Sequence, residues 1–153
     1  MKKTIIQSEF FEFDSVDELN EEDKKLVAEA RGSAKNAYAP YSNFNVGAAA
    51  LLDNGIIVKG NNQENASYPT GLCAERVAIF AAGANYPGIK IKAIAITAHS
   101  KDFLIDKPVA PCGACRQAIA EYEHRHKNSI RLILFGESDH RLCFLAWWSA
   151  LVF

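Results

Sequence analysis

The chain has 153 residues, of which 49% are apolar and 23% charged. That suffices for one domain with a real core and excludes a disordered, collagen-like or coiled-coil chain. Seventeen basic against eighteen acidic residues leave a formal net charge of −1, which argues against a binder of nucleic-acid polymers.

Residues 1–15 mix aromatic and acidic side chains, as in Phe10-Phe11-Glu12-Phe13-Asp14, and read as an N-terminal extension with one strand at most. The domain proper then runs from 16 to 153. Residues 9–29 hold nine acids and two lysines, a local balance of −7, read as a solvated helix face. Two lysines near the start are followed by only two isoleucines, too few for a signal peptide. No stretch is long and apolar enough to span a bilayer. The expected compartment is the cytoplasm, where thiols stay reduced.

Periodic Leu19, Leu26, Val27, Ala30, Ala34, Ala37 and Tyr38 predict a helix over 18–38, with Asn20 before an acidic first turn and Ala39-Pro40 at its end. Asn45 to Asp53, the turn Asp53-Asn54-Gly55 and Ile56 to Val58 read as a hairpin. The polar segment 61–72 reads as a loop. Cys73 to Ala84 reads as a helix with Val77, Ala78, Phe80 and Ala81 buried, and Ile91 to Ala98 as a strand. After a loop over 99–111, Cys112 to Glu123 reads as a helix and Ile130 to Phe135 as a strand. Leu142 to Leu145 is a candidate last strand before a short helix carrying Trp147 and Trp148. Helices alternating with strands predict an α/β fold, three layers α-β-α, around a mixed sheet of about five strands.

Four cysteines allow two disulfides, a metal site or scattered thiols. Pro111-Cys112-Gly113-Ala114-Cys115 opens a helix, and Cys73 opens another. A C-x-x-C alone is open to redox or metal chemistry. A third cysteine at a second helix start tips the balance towards metal. Helix N-termini favour anions and so favour thiolates. Three protein ligands leave a fourth tetrahedral position open, which is the catalytic pattern for zinc. A closed structural site would need a fourth ligand, for which Cys143 and His99 are the candidates. Glu75, two residues after Cys73, is placed to move protons without binding the metal. Arg76 can offset the negative charge of three thiolates.

Cys73-Ala74-Glu75-Arg76 and Pro111-Cys112-Gly113-Ala114-Cys115-Arg116-Gln117 resemble the signature of the zinc deaminases. The three-cysteine form is similar to the small cytidine deaminases. The runs Ala37 to Ala48 and Gly60 to Pro69 resemble two further blocks of that family. Four blocks in order cover about residues 20–135.

The resemblance implies Zn²⁺ on Cys73, Cys112 and Cys115, with metal-held water as nucleophile and Glu75 as proton shuttle. It implies that Asn62 and Glu64 bind the ribose hydroxyls, that Phe44 packs on the base, and that the Ala74 backbone holds the base edge. Arg76 would hydrogen-bond the thiolates. Tyr68 and Phe153 would lie near a neighbouring subunit's site. The implied activity is hydrolytic deamination of cytidine and 2′-deoxycytidine in pyrimidine salvage, by a homotetramer with shared active sites. Cys143 is left as a buried thiol. The C-terminal Trp148-Ser149-Ala150-Leu151-Val152-Phe153 lacks the Leu-Leu-Pro common in the family. Rival readings are a deaminase of a nucleotide or a cytosine-containing antibiotic, a non-catalytic structural zinc domain, and a polynucleotide editor. Balanced charge and no arginine/aromatic stripe count against the editor.

Overall fold

The computed structural model describes residue 3, residues 10–137 and the backbone of residues 144–147. Six strands form one mixed sheet: β1 (Phe10–Phe11), β2 (Phe44–Leu52), β3 (Ile57–Asn61), β4 (Ile91–Ser100), β5 (Arg131–Phe135) and β6 (Phe144–Trp147). Their order is β1-β6-β5-β4-β2-β3. Only β4 and β5 are parallel, and α3 (Gly113–His126) makes the crossover between them. The other helices are α1 (Glu21–Ala34) and α2 (Ala74–Asn85).

Side-chain alternation sorts the core into two halves. Ala48, Ala50, Leu52, Ile94, Ile96, Leu132 and Leu134 face α2 and α3. Ala49, Leu51, Ala93, Ala95, Ile133 and Phe135 face α1. Both faces are covered, so β4 and β5 read as nearly continuous apolar runs. The result is the three-layer α/β architecture expected from sequence. The sheet has one strand more than expected, because Phe10 and Phe11 pair antiparallel with Ala146 and Leu145.

Two glycines let helices approach the hairpin closely. A Cβ on Gly47 would lie 2.1 Å from the Ala30 carbonyl oxygen on α1. One on Gly60 would lie 2.4 Å from the Ala74 oxygen and 2.5 Å from the Ala78 nitrogen on α2. The amino end of α2 is thereby seated directly on β3.

Asn20 caps α1, accepting from the Asp23 N–H at 2.9 Å. Asp23 is only 1% exposed and takes both terminal nitrogens of Arg131 from β5. Losing one partner of such a pair leaves a buried charge and typically costs about 3–5 kcal/mol. Glu22 reaches Lys92 and Glu29 reaches Lys59, and these exposed pairs add little.

Several expected boundaries move. Helix α1 stops at Ala34, four residues short of Tyr38, because Tyr38 instead bridges to Gln63. Its backbone N–H donates to the Asn62 oxygen and its carbonyl accepts from Glu64 N–H. The loop over 61–72 contains a 3₁₀ turn at Tyr68–Thr70. Strand β4 continues through His99 and Ser100, which pair with Asn45 and Phe44. Helix α3 runs three residues past Glu123 and ends at Lys127 in the left-handed region. The buried face of α2 is Ala74, Glu75, Ala78, Ile79 and Ala82. Phe80, expected inside, is 46% exposed. The expected last strand shifts two residues, to Phe144–Trp147. Cys143, Trp148 and Phe153 lie outside the described residues.

Candidate metal centre and active site

Cys73 and Cys112 are the N-cap residues of α2 and α3, each with extended backbone. Neither thiol makes the usual capping hydrogen bond, so both sulfurs remain free to serve as ligands at the positive end of a helix. Cys115 is the third residue of α3. It bears the relation to Cys112 that the two side chains of a capping box bear to each other, and such chains reach across to meet.

The Cys73 and Cys112 sulfurs are 3.7 Å apart, and those of Cys112 and Cys115 are 3.5 Å apart. All three ligand atoms lie within 4.8 Å of one another. Zinc–sulfur bonds of about 2.3 Å in a tetrahedron require sulfurs about 3.8 Å apart. The trio therefore fits a tetrahedral zinc, and no other described side chain joins it as a fourth ligand.

The acid–base behaviour of the trio points the same way. Hydrogen bonding from Cys115 and Arg76 brings Cys73 down to about 5, against the opposing pull of burial. Cys115 is pushed the other way, first by its hydrogen bond to Cys73 and then by burial. Without a cation, Cys73 is thus the thiol drawn towards its ionised form. A dication would draw in all three and release the protons they hold. Among the described residues this is the one such group of metal-ligating side chains.

Glu75 is the second residue of α2 and is 5% exposed. Burial raises its pKa, and the Cys73 thiolate adds to the rise. Cys115 partly opposes that rise. Arg76 donates to the Gly71 carbonyl at 3.3 Å and to Cys73 Sγ at 3.9 Å. Its Nε is a buried donor with no partner among the described residues. Arg116 folds back onto the Pro111 carbonyl at 2.9 Å and so fixes the approach to Cys112.

The 61–64 segment serves Phe44. Asn62 Nδ2 donates to the Phe44 carbonyl at 2.9 Å, and Asn62 Oδ1 accepts from Val46 N–H at 2.7 Å. Glu64 accepts from the N–H groups of Tyr41 and Ser42 and from the Ser42 hydroxyl. Ser42 Oγ in turn accepts from Phe44 N–H at 3.1 Å. Burial would raise the Glu64 pKa, but these hydrogen bonds outweigh it and hold the group below the ordinary carboxylate value. Asn62 keeps one N–H and one lone pair uncommitted.

Strand alternation puts Phe44 on the face of β2 that carries Ala48, the face covered by α2 and α3. Ala74, next to Cys73 in the chain, is fully buried, whereas Tyr68 stands out at 91% exposure. Phe103, which the sequence does not single out, lies on Phe44 with ring centroids 6.4 Å apart.

Comparison with known proteins agrees with this geometry. A family model described as the cytidine and deoxycytidylate deaminase zinc-binding region matches residues 20–128. Cytidine deaminase from Sporosarcina psychrophila is 46% identical over 100 residues, covering 65% of this chain and 68% of that protein. That from Halalkalibacterium halodurans is 47% identical over 97 residues, covering 63% and 68%. A crystal structure of cytidine deaminase from Burkholderia pseudomallei superposes with a TM-score of 0.66 at 40% identity, covering 77% of this chain and 87% of that one.

Proposed function

The chain belongs to the cytidine and deoxycytidylate deaminase family, and from that premise we propose that it converts cytidine and 2′-deoxycytidine to uridine and 2′-deoxyuridine with release of ammonia. The carrying observation is the buried Glu75 carboxyl set against three thiols that fit zinc. When bound there, zinc would supply a Lewis acid that makes water nucleophilic near neutral pH.

The chain's own groups do the rest. Glu75 takes a proton from the attacking water and delivers it to N3 of the pyrimidine as the C4–O bond forms. It then takes the proton of the new C4 hydroxyl to the C4 amino group as the C4–N bond breaks and C4=O forms, so ammonia leaves neutral. A carboxyl whose pKa is raised by burial is suited to both directions of transfer. Asn62 and Glu64 would bind the ribose hydroxyls with the hydrogen-bonding capacity that Phe44 and its neighbours leave free. Phe44 would take the face of the base, and the backbone at Ala74 its edge. Arg76 holds the thiolate of Cys73 in place.

A nucleoside is the favoured substrate because Asn62 and Glu64 suit a sugar diol. Parallel assays of cytidine and its 5′-monophosphate, followed by loss of ultraviolet absorbance, are expected to show at least tenfold preference for cytidine in kcat/KM. A preference for the monophosphate would sink the nucleoside reading. The reaction fits pyrimidine salvage, and three thiols that must stay reduced fit the cytoplasm. No described helix is long and apolar enough to cross a membrane.

We further propose a homotetramer with shared sites. Its support is the set of exposed rings of Tyr38, Tyr41 and Tyr68, large apolar groups left facing outward. Light scattering is expected to give four chains per particle, and a monomer at assay concentration would reject the proposal.

A further inference from the structure

The segment joining β4 to α3 leads from the sheet to Cys112, and it carries Phe103 on Phe44 with the rings tilted by 31°. Phe103 is 60% exposed, so burial does not hold it there. Glu137, just past β5, does. One of its oxygens accepts from Ser100 N–H at 3.0 Å and from Ile105 N–H at 3.4 Å. The other meets His99 Nδ1 at 3.0 Å. In return, Glu137 N–H donates to the Ile105 carbonyl at 2.9 Å. A Cβ at Gly136 would lie 2.6 Å from that same carbonyl, so the two backbones touch. Both ends of the 100–105 segment are thus tied to one side chain. Between them, Lys101 N–H donates to the Asn43 carbonyl, and Asn43 Nδ2 donates to Asp102. Phe103 stands at the crest of a loop pinned on three sides.

We propose that Glu137 is a positioning residue that holds Phe103 beside Phe44, so that the two rings form one wall for the pyrimidine. Phe103 sets the affinity for the base, and Glu137 acts only through it, touching neither substrate nor metal. The inference rests on the deaminase reading above, which places a pyrimidine against Phe44.

The test compares Phe103→Ala, Glu137→Ala, Glu137→Gln and the Phe103→Ala/Glu137→Ala double variant with the unaltered chain. Steady-state kinetics on cytidine are measured together with zinc content and thermal unfolding. Each alanine variant is expected to raise KM about tenfold, the scale of one lost aromatic contact, with kcat within about twofold and zinc unchanged. Glu137→Gln keeps an acceptor and is expected to recover part of the loss. The double variant is expected to be no worse than Phe103→Ala alone. Multiplying effects in the double variant would overturn the claim that Glu137 acts through Phe103. An unchanged KM in Phe103→Ala would overturn the wall itself, and that exposed substitution does not threaten folding. If the unaltered chain fails to turn over cytidine, the proposed function falls instead. The wall is then judged by uridine affinity, expected about tenfold weaker in Phe103→Ala and overturned if equal.

Discussion

Glu75→Gln is expected to retain its zinc and to lose about 10²–10⁴-fold in kcat, the range that positioned proton transfer contributes. The substitution keeps the shape and one acceptor of the side chain. It removes the only function that distinguishes the acid, which is to accept a proton and return it. Glu75 is buried, so no solvent carboxylate can replace it. Because the group is not needed as a ligand, metal content is the control that separates chemistry from assembly. Turnover near the original value, with one zinc per chain, would exclude Glu75 as the shuttle.

Cys115→Ala is expected to weaken zinc binding by at least about 100-fold and to abolish detectable deamination. Partners one step removed from a metal already cost about 10–100-fold when lost, and Cys115 is in the ligand set itself. It lies at the base of the cluster, fully buried, 3.5 Å from Cys112 Sγ. Its removal leaves two N-cap thiols with no third donor. The alanine is smaller and apolar, so folding should survive, and elemental analysis of the folded variant reads the metal directly. A chelator applied to the unaltered chain should abolish the same activity, with zinc restoring it. Zinc held at the original affinity in Cys115→Ala would mean that these three thiols are not the site.

Much of the site was legible because its chemistry is written locally. A cysteine before a helix, a carboxylate two residues later and a C-x-x-C after proline are all short-range patterns. The cap at Asn20 and the hairpin turn at Asp53-Asn54-Gly55 were legible for the same reason. What stayed hidden depends on partners far away in the chain. The buried face of α2 was misjudged because alanines of similar size surround the helix, and Gly60 on another element decides which of them go inside. The end of α1 was misjudged because Tyr38 exchanges helical hydrogen bonds for a bridge to Gln63. The hydrogen bonds of Asn62 and Glu64 to the 41–46 backbone have no signature in either segment alone. Phe103 and Glu137 belong to no motif. Only the crossing of the β4–α3 loop with the end of β5 brings them to Phe44.

The seat of α2 on Gly60 has a consequence for how this sequence can change. Any side chain at position 60 must displace the Ala74 carbonyl or the Ala78 amide. The first turn of α2 is rigid, so Cys73 and Glu75 would move with it. A residue outside the thiol cluster therefore constrains its geometry through backbone contact alone. Drift in this protein is confined by a helix and strand that nearly touch, as well as by the groups that react.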